Sequence, residues 1–142
     1  MNDDQQQAGE IISKMYDNDP FSQWMGMRRL EEGPGFSVLQ MTVRNEMLNG
    51  FEIAHGGITY ALADSAFAFA SNSRGFHAVS IETSISHVKA VYVKDVLTAR
   101  AREVFFSRKI AIYEVVVKNQ NDEKVALFKG TVYRKSTEWQ TD

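Results

Sequence analysis

The chain has 142 residues, 44% of them apolar and 24% charged, a size and balance that fit one globular domain and leave little room for two. Its formal net charge of -2 argues against general nucleic-acid binding. It contains no cysteine, which removes disulfides, cysteine-ligated metals and thiol nucleophiles together.

No apolar run approaches the roughly 20 residues that a membrane span needs. The opening stretch, residues 1–10, is acidic and polar and lacks the basic start and apolar core of a signal peptide. Together with the lack of cysteine, this leads to an expectation of a cytoplasmic protein without membrane or nucleic-acid partners. Charge is unevenly distributed. Residues 1–64 carry four basic and ten acidic side chains, and residues 65–142 carry twelve basic and eight acidic ones. The second half could present a basic face to a phosphorylated ligand, or simply a well-solvated sheet surface.

In chain order, residues 4–17 read as a helix, with Ile11, Ile12 and Met15 as a short apolar stripe. Asn18-Asp19-Pro20 breaks it, and residues 21–25 read as one further helical turn. A short strand over 27–31 closes at Glu32-Gly33-Pro34-Gly35, and 36–43 is a second strand in which Phe36 and Val38 alternate with Ser37. Residues 55–71, HGGITYALADSAFAFAS, are Ala-rich and predict a helix of about four turns, apolar nearly all round and therefore buried. Asn72-Ser73-Arg74-Gly75 ends it.

Four strands follow. Val79, Ile81, Thr83 and Ile85 alternate with polar residues at a period of two. Residues 96–104, 108–118 and 124–134 complete the set, with Asn119-Gln120-Asn121-Asp122 as a hairpin turn and a polar tail from 136 that is expected to fray. No internal repeat or linker divides the chain. Strands, one apolar helix and four more strands predict an α+β fold in which a curved antiparallel sheet wraps the helix.

Asp64 stands out in that helix. An ionised carboxylate in apolar surroundings is costly unless paired, and burial would raise its pKa and suit it to catalysis. The alternative is that one narrow stripe of the helix meets solvent and Asp64 occupies it. The helix start adds to the functional reading. At His55-Gly56-Gly57 the backbone N–H groups have no intrahelical partner, and two glycines let a ligand approach that backbone closely. The helix dipole there favours developing negative charge, so these are the requirements of an oxyanion hole. Asp64 lies eight residues beyond Gly56, about 12 Å of helical rise. That is a long gap for one small group, so the expected solution is an Asp64 supplied by a neighbouring subunit. Asn49 could orient a water or hold the His55 ring, although Asn49-Gly50 equally suits a turn.

Met47-Leu48-Asn49-Gly50, His55-Gly56-Gly57 and the run Leu62-Ala63-Asp64-Ser65-Ala66-Phe67-Ala68 resemble the PaaI branch of the hotdog-fold thioesterases, the acyl-CoA thioesterases of phenylacetic acid degradation. The resemblance runs from about Met15 to Arg134 and includes Asn72-Ser73 and Val125-Ala126-Leu127-Phe128-Lys129-Gly130. It implies a long helix wrapped by an antiparallel sheet, a homodimer with a continuous sheet that often pairs into a homotetramer, and active sites between subunits. Asp64 would attack the thioester or activate water, the Gly56 amide would polarise its carbonyl, and Asn49 and His55 would line the site. No metal is implied, and no cofactor beyond the coenzyme A of the acyl-CoA substrate. One stretch departs from the family pattern: residues 87–95, HVKAVYVKD, lack its Pro and Gly but keep Lys89 and Asp95.

Lys89, Arg108 and Lys109 are candidates for the phosphates of coenzyme A, with plain solubility as the alternative. Gly57 belongs with Gly56 in the substrate-binding set, Phe67 is a core residue that could touch an aryl group, and His87 reads as structural. The expected function is hydrolysis of small aryl-acyl-CoA thioesters. Its rivals are another acyl group (benzoyl, naphthoyl or medium-chain fatty acyl), a non-catalytic acyl-CoA-binding domain, and an oligomeric scaffold.

Overall fold

The computed structural model describes residues 2–141. Helix α1 (Asp3–Asp17) begins where the Asn2 side chain accepts the Gln5 N–H, and the short α2 (Pro20–Trp24) begins where Asp19 accepts that of Ser22. These are side-chain oxygens satisfying first-turn donors that the helix itself cannot. Strands β1 (Arg28–Gly33) and β2 (Phe36–Thr42) form a hairpin that turns at Gly35, with φ of +78°. Then come α3 (Gly56–Asn72), β3 (Phe76–His87), β4 (Val96–Phe106), β5 (Ile110–Lys118) and β6 (Lys124–Glu138). The strands form one antiparallel sheet in the order β1-β2-β4-β5-β6-β3, and α3 packs against it. This is the α+β hotdog arrangement that the resemblance implies.

The helix lies close to the sheet because small residues meet there. Ala63, Ala66 and Ala70 of α3 share a buried core with Ala99, Ala101, Ala111 and Ala126 of the strands. Irregularities of register in β1, β3, β4 and β5 help bend the sheet around the helix. At one point the approach is closest: a Cβ on Gly130 would sit 2.6 Å from the Phe67 ring.

Two expectations need correction. The clean alternation of Val79, Ile81, Thr83 and Ile85 is interrupted by a bulge between Ser80 and Glu82, so Val79 and Ile85 do not share one unbroken face. In β2 Leu39 and Met41 face the central core, and Val38, of the other parity, is buried as well, outside that cluster. The tail expected to fray from residue 136 is tied down beyond that point. Strand β6 runs to Glu138, the Trp139 backbone N–H donates to Gly75 O at 2.8 Å, and its indole donates to Asn72 Oδ1 at 3.0 Å and stacks on His77 at 4.2 Å.

The two edges of the sheet differ. β1 is packed by α1, whereas among the described residues β3 has no neighbour on its outer side. Its 12 residues contain no proline, and Val79, Ile81 and much of the rest are exposed. Among the described residues no helix is long and apolar enough to cross a membrane.

Candidate active site

The loop before α3 is held by its own polar groups. Asn49 Oδ1 accepts the backbone N–H of Phe51 at 2.9 Å and of Ile53 at 3.4 Å, and Glu52 takes a left-handed φ of +62°. Asn49 therefore closes the turn with its carbonyl oxygen, and its Nδ2 has no partner among the described residues. The loop is anchored by the Ala54 N–H donating to Val91 O at 2.7 Å and the His55 N–H to Met47 O at 2.8 Å.

His55 is the N-cap of α3. Its Nδ1 accepts the Gly57 N–H at 2.9 Å, which leaves Nε2 as the protonated nitrogen of the neutral ring. The Ile58 N–H returns to His55 O. That accounts for Gly57 and Ile58. The Gly56 N–H, at the first helical position, has no partner among the described residues and sits at the positive end of a 17-residue helix. The His87 ring lies against Gly56: a Cβ there would stand 3.3 Å from His87 Nε2. His87, read from the sequence as structural, therefore belongs to the site. Topology was the signal that could have found it. The strand after a helix runs back along it, so the end of β3 returns to the start of α3.

Asp64 lies two turns further on. It is half-buried on a stripe of α3, with Tyr60, Ala61, Ser65 and Ala68, that the chain covers only in part. The helix is thus apolar but not sealed all round, and Asp64 occupies its open stripe. No hydrogen bond or ion pair neutralises the carboxylate among the described residues, and desolvation by burial pushes its pKa above the ordinary carboxylate value. Ser65 Oγ and Ser22 Oγ are 2.8 Å apart, which docks α2 on the turn that carries Asp64. With α2 come two exposed aromatic rings, Phe21 and Trp24, 6.1 Å apart. Sequence reading did not single these out, since a five-residue helix carries no periodic signal.

Two substrate-binding expectations change. Phe67 is 1% exposed and packed between Tyr113, Phe128 and Gly130, so its ring fills the core and has no face free for an acyl group. Lys89 forms an exposed ion pair with Glu123 at 3.3 Å, with which a phosphate would have to compete. Arg108 is exposed, forms no ion pair among the described residues, and lies at the β4–β5 turn. In the departing stretch, Asp95 does the work of a turn-former. Its side chain accepts the Tyr92 N–H at 2.8 Å and the Gln120 amide at 2.9 Å, while Lys94 takes φ of +73°. Gly56, Asn49, His55 and His87 thus gather at one end of α3, and Asp64 of the same chain stands apart from them.

The model of the thioesterase superfamily matches residues 51–126. Over 129 residues the chain is 43% identical to a putative esterase of Archaeoglobus fulgidus, covering 91% of this chain and 84% of that one. It is 38% identical to the acyl-coenzyme A thioesterase PaaI of Escherichia coli, over 89% of this chain and 91% of that one. The structure of the E. coli PaaI protein, from the phenylacetic acid degradation operon, superposes with a TM-score of 0.92 over 94% of this chain and 97% of that one. A hypothetical thioesterase of Streptococcus pneumoniae, solved with coenzyme A, is 26% identical with a TM-score of 0.83, over 89% of this chain and 98% of that one.

Proposed function

The chain belongs to the thioesterase superfamily, in its PaaI-type hotdog branch, and on that footing we propose that it hydrolyses small aryl-acyl-CoA thioesters, phenylacetyl-CoA first, to free acid and coenzyme A. The observation that carries this is a pair of groups with unfilled requirements among the described residues: a backbone donor at Gly56 without a partner and a half-buried carboxylate at Asp64 without a neutralising group. The names of the E. coli relative and its operon, and the coenzyme A held by the pneumococcal one, support the substrate class.

In this reading the thioester oxygen accepts the Gly56 N–H, where the helix dipole stabilises the charge it gains in the tetrahedral intermediate. Asp64 either takes a proton from the attacking water or adds to the carbonyl carbon itself. The C–S bond then breaks and coenzyme A leaves as the thiol: in the first route it takes the proton that Asp64 removed from water, and in the second a water hydrolyses the acyl–Asp64 anhydride to the free acid and supplies that proton. His55 fixes the helix start so that the Gly56 amide stays free, and Asn49 holds the preceding loop. Phe21 and Trp24, docked beside the Asp64 turn, offer flat apolar surface to an aryl group.

Gly56 and Asp64 of one helix stand about 12 Å apart along its axis, so the working site takes them from two subunits. The unpaired edge of β3 supports the partner's placement. A long exposed edge with free backbone groups is a template for another strand, and a second copy satisfies it by continuing the sheet. The assembly is then a homodimer, or a homotetramer made of two.

The test is thiol release from phenylacetyl-CoA and a panel of other acyl-CoAs by wild type and Asp64→Asn, with oligomeric mass measured by light scattering. Turnover by wild type and a loss of about 100-fold or more in the nearly isosteric variant, equivalent to about 2.7 kcal/mol of barrier, support the reading. Full activity in the variant refutes the role of Asp64. Binding without turnover across the panel replaces the enzyme with an acyl-CoA-binding module.

A further inference from the structure

His87 ends β3 on the side of the strand that faces α3. Two residues earlier Ile85 packs against the core, and four earlier Thr83 Oγ1 lies 2.5 Å from Tyr60 Oη. Alternate residues of a strand share a face, and the ladder is regular from Glu82 to His87. Tyr60 and Gly56 are one helical turn apart, so the row Thr83, Ile85, His87 runs back along α3 to its first residue.

The contact there is close. A Cβ on Gly56 would stand 3.3 Å from His87 Nε2, 3.4 Å from Cε1 and 3.8 Å from Cδ2. Turning the ring over exchanges the places of Nε2 and Cε1, so this nitrogen stays against Gly56 in either orientation. A Cβ lies about 2.5 Å from its own backbone nitrogen, which puts His87 Nε2 within about 5.8 Å of Gly56 N. One oxygen that accepts two hydrogen bonds of about 2.9 Å each reaches across such a gap.

Both groups are unused. Among the described residues the Gly56 N–H has no acceptor, and neither nitrogen of the exposed His87 ring has a hydrogen-bond partner or a carboxylate beside it. His55, the other imidazole at this end, is committed through Nδ1 to the Gly57 N–H. Nothing commits the neutral His87 ring to one tautomer, so its proton is free to sit on Nε2.

We propose that His87 is a catalytic residue whose Nε2–H is the second donor to the thioester oxygen, beside the Gly56 amide. This role rests on the acyl-CoA thioesterase reading and adds to it a residue to which the family resemblance gives no part. As water or Asp64 adds to the carbonyl carbon, the C=O electron pair moves onto oxygen, and both N–H groups bind that oxygen more strongly. The ring keeps its proton throughout: the two hydrogen bonds weaken again when the carbonyl re-forms and the C–S bond breaks. The stabilisation is concentrated in the tetrahedral state, so it acts on kcat and leaves KM unchanged.

The test compares wild type, His87→Phe and His87→Gln on phenylacetyl-CoA. Phe keeps a flat ring against Gly56 and removes the donor, whereas Gln restores an N–H donor that cannot act as a proton-transferring acid. The expected result is a kcat lowered by about 100-fold in His87→Phe, with KM and Tm unchanged, and most of the loss recovered in His87→Gln. An unchanged kcat in His87→Phe, or a change in KM alone, overturns the proposal. A loss in His87→Gln as deep as in His87→Phe marks proton transfer by the ring and overturns it too. A second measurement needs neither turnover nor a folded variant. The ketone analogue of phenylacetyl-CoA, with CH2 in place of sulfur, presents the same oxygen and cannot be hydrolysed. Its binding should shift the imidazole nitrogen resonances of His87, distinguished by through-bond assignment from the other two of the three histidines. Should wild type hydrolyse no acyl-CoA, that shift keeps the contact of His87 with the carbonyl oxygen while the thioesterase reading falls. His87 resonances unmoved by saturating analogue, or no binding of it at all, overturn the proposal.

Discussion

Gly130→Ala places a methyl group inside the Phe67 ring's space. The added carbon would lie 2.6 Å from both Cε1 and Cζ and 2.9 Å from Cδ1, where carbon atoms normally keep about 3.5–4.0 Å. The ring would have to retreat by about 1 Å, yet Tyr113 holds it with a centroid 6.0 Å away and Phe128 with one 5.6 Å away. Overpacking of this kind costs about 1–3 kcal/mol. For a domain of this size that lowers Tm by about 3–9 °C, at roughly 3 °C per kcal/mol. Urea denaturation should show the loss as a lower midpoint with the slope unchanged. Phe67→Leu opens room for the methyl group, so the double variant should be more stable than the sum of the single losses by about 1 kcal/mol. Phe67 follows Asp64 by three residues on α3, so a helix pushed outward also displaces the carboxylate, and kcat should fall with Gly130→Ala alone. A Tm within 1 °C of wild type, with strictly additive losses, would refute the idea that this contact sets the spacing of helix and sheet.

Asp64 also has a signature in stability. Its pKa is raised in the folded state by desolvation, so the folded chain holds the proton more tightly than the unfolded chain does. The stability this contributes is present below the unfolded pKa and is lost as pH rises through the folded one. Asp64→Asn should therefore raise Tm at neutral pH, with the gain vanishing in acid; a gain independent of pH would contradict it. The same shift places the acid limb of kcat/KM above the ordinary aspartate pKa of about 3.9, and a pH–rate profile flat into strong acid would remove Asp64 as base or nucleophile. His55→Ala deletes the acceptor for the Gly57 N–H and should cost about 1 kcal/mol in chemical denaturation. Trp139→Ala removes the indole bond to Asn72 and the stack on His77, and should cost about 2 kcal/mol. An unchanged denaturation midpoint in that variant would restore the frayed tail that the sequence suggested.

The sequence by itself determined the elements and the chemistry. The Ala-rich run after His55 can only be a helix that packs closely, Gly56 at its start leaves a backbone donor free, and the period-two runs that follow can only be strands. These are local properties, legible because side-chain spacing and backbone valence act within a few residues. What needed the tertiary structure is whatever depends on which distant residues meet. Phe67 and Asp64 lie three residues apart on one helix, yet one is sealed against Gly130 and the other lies on the open stripe, and only the position of the sheet decides which. Lys89 and Arg108 read alike as exposed cations until Glu123 is found beside one and no acid beside the other. His87 reaches Gly56, and Trp139 reaches Asn72, because β3 runs back along α3 and β6 lies beside β3. Contacts of that separation are set by packing of the whole chain, which no local pattern encodes.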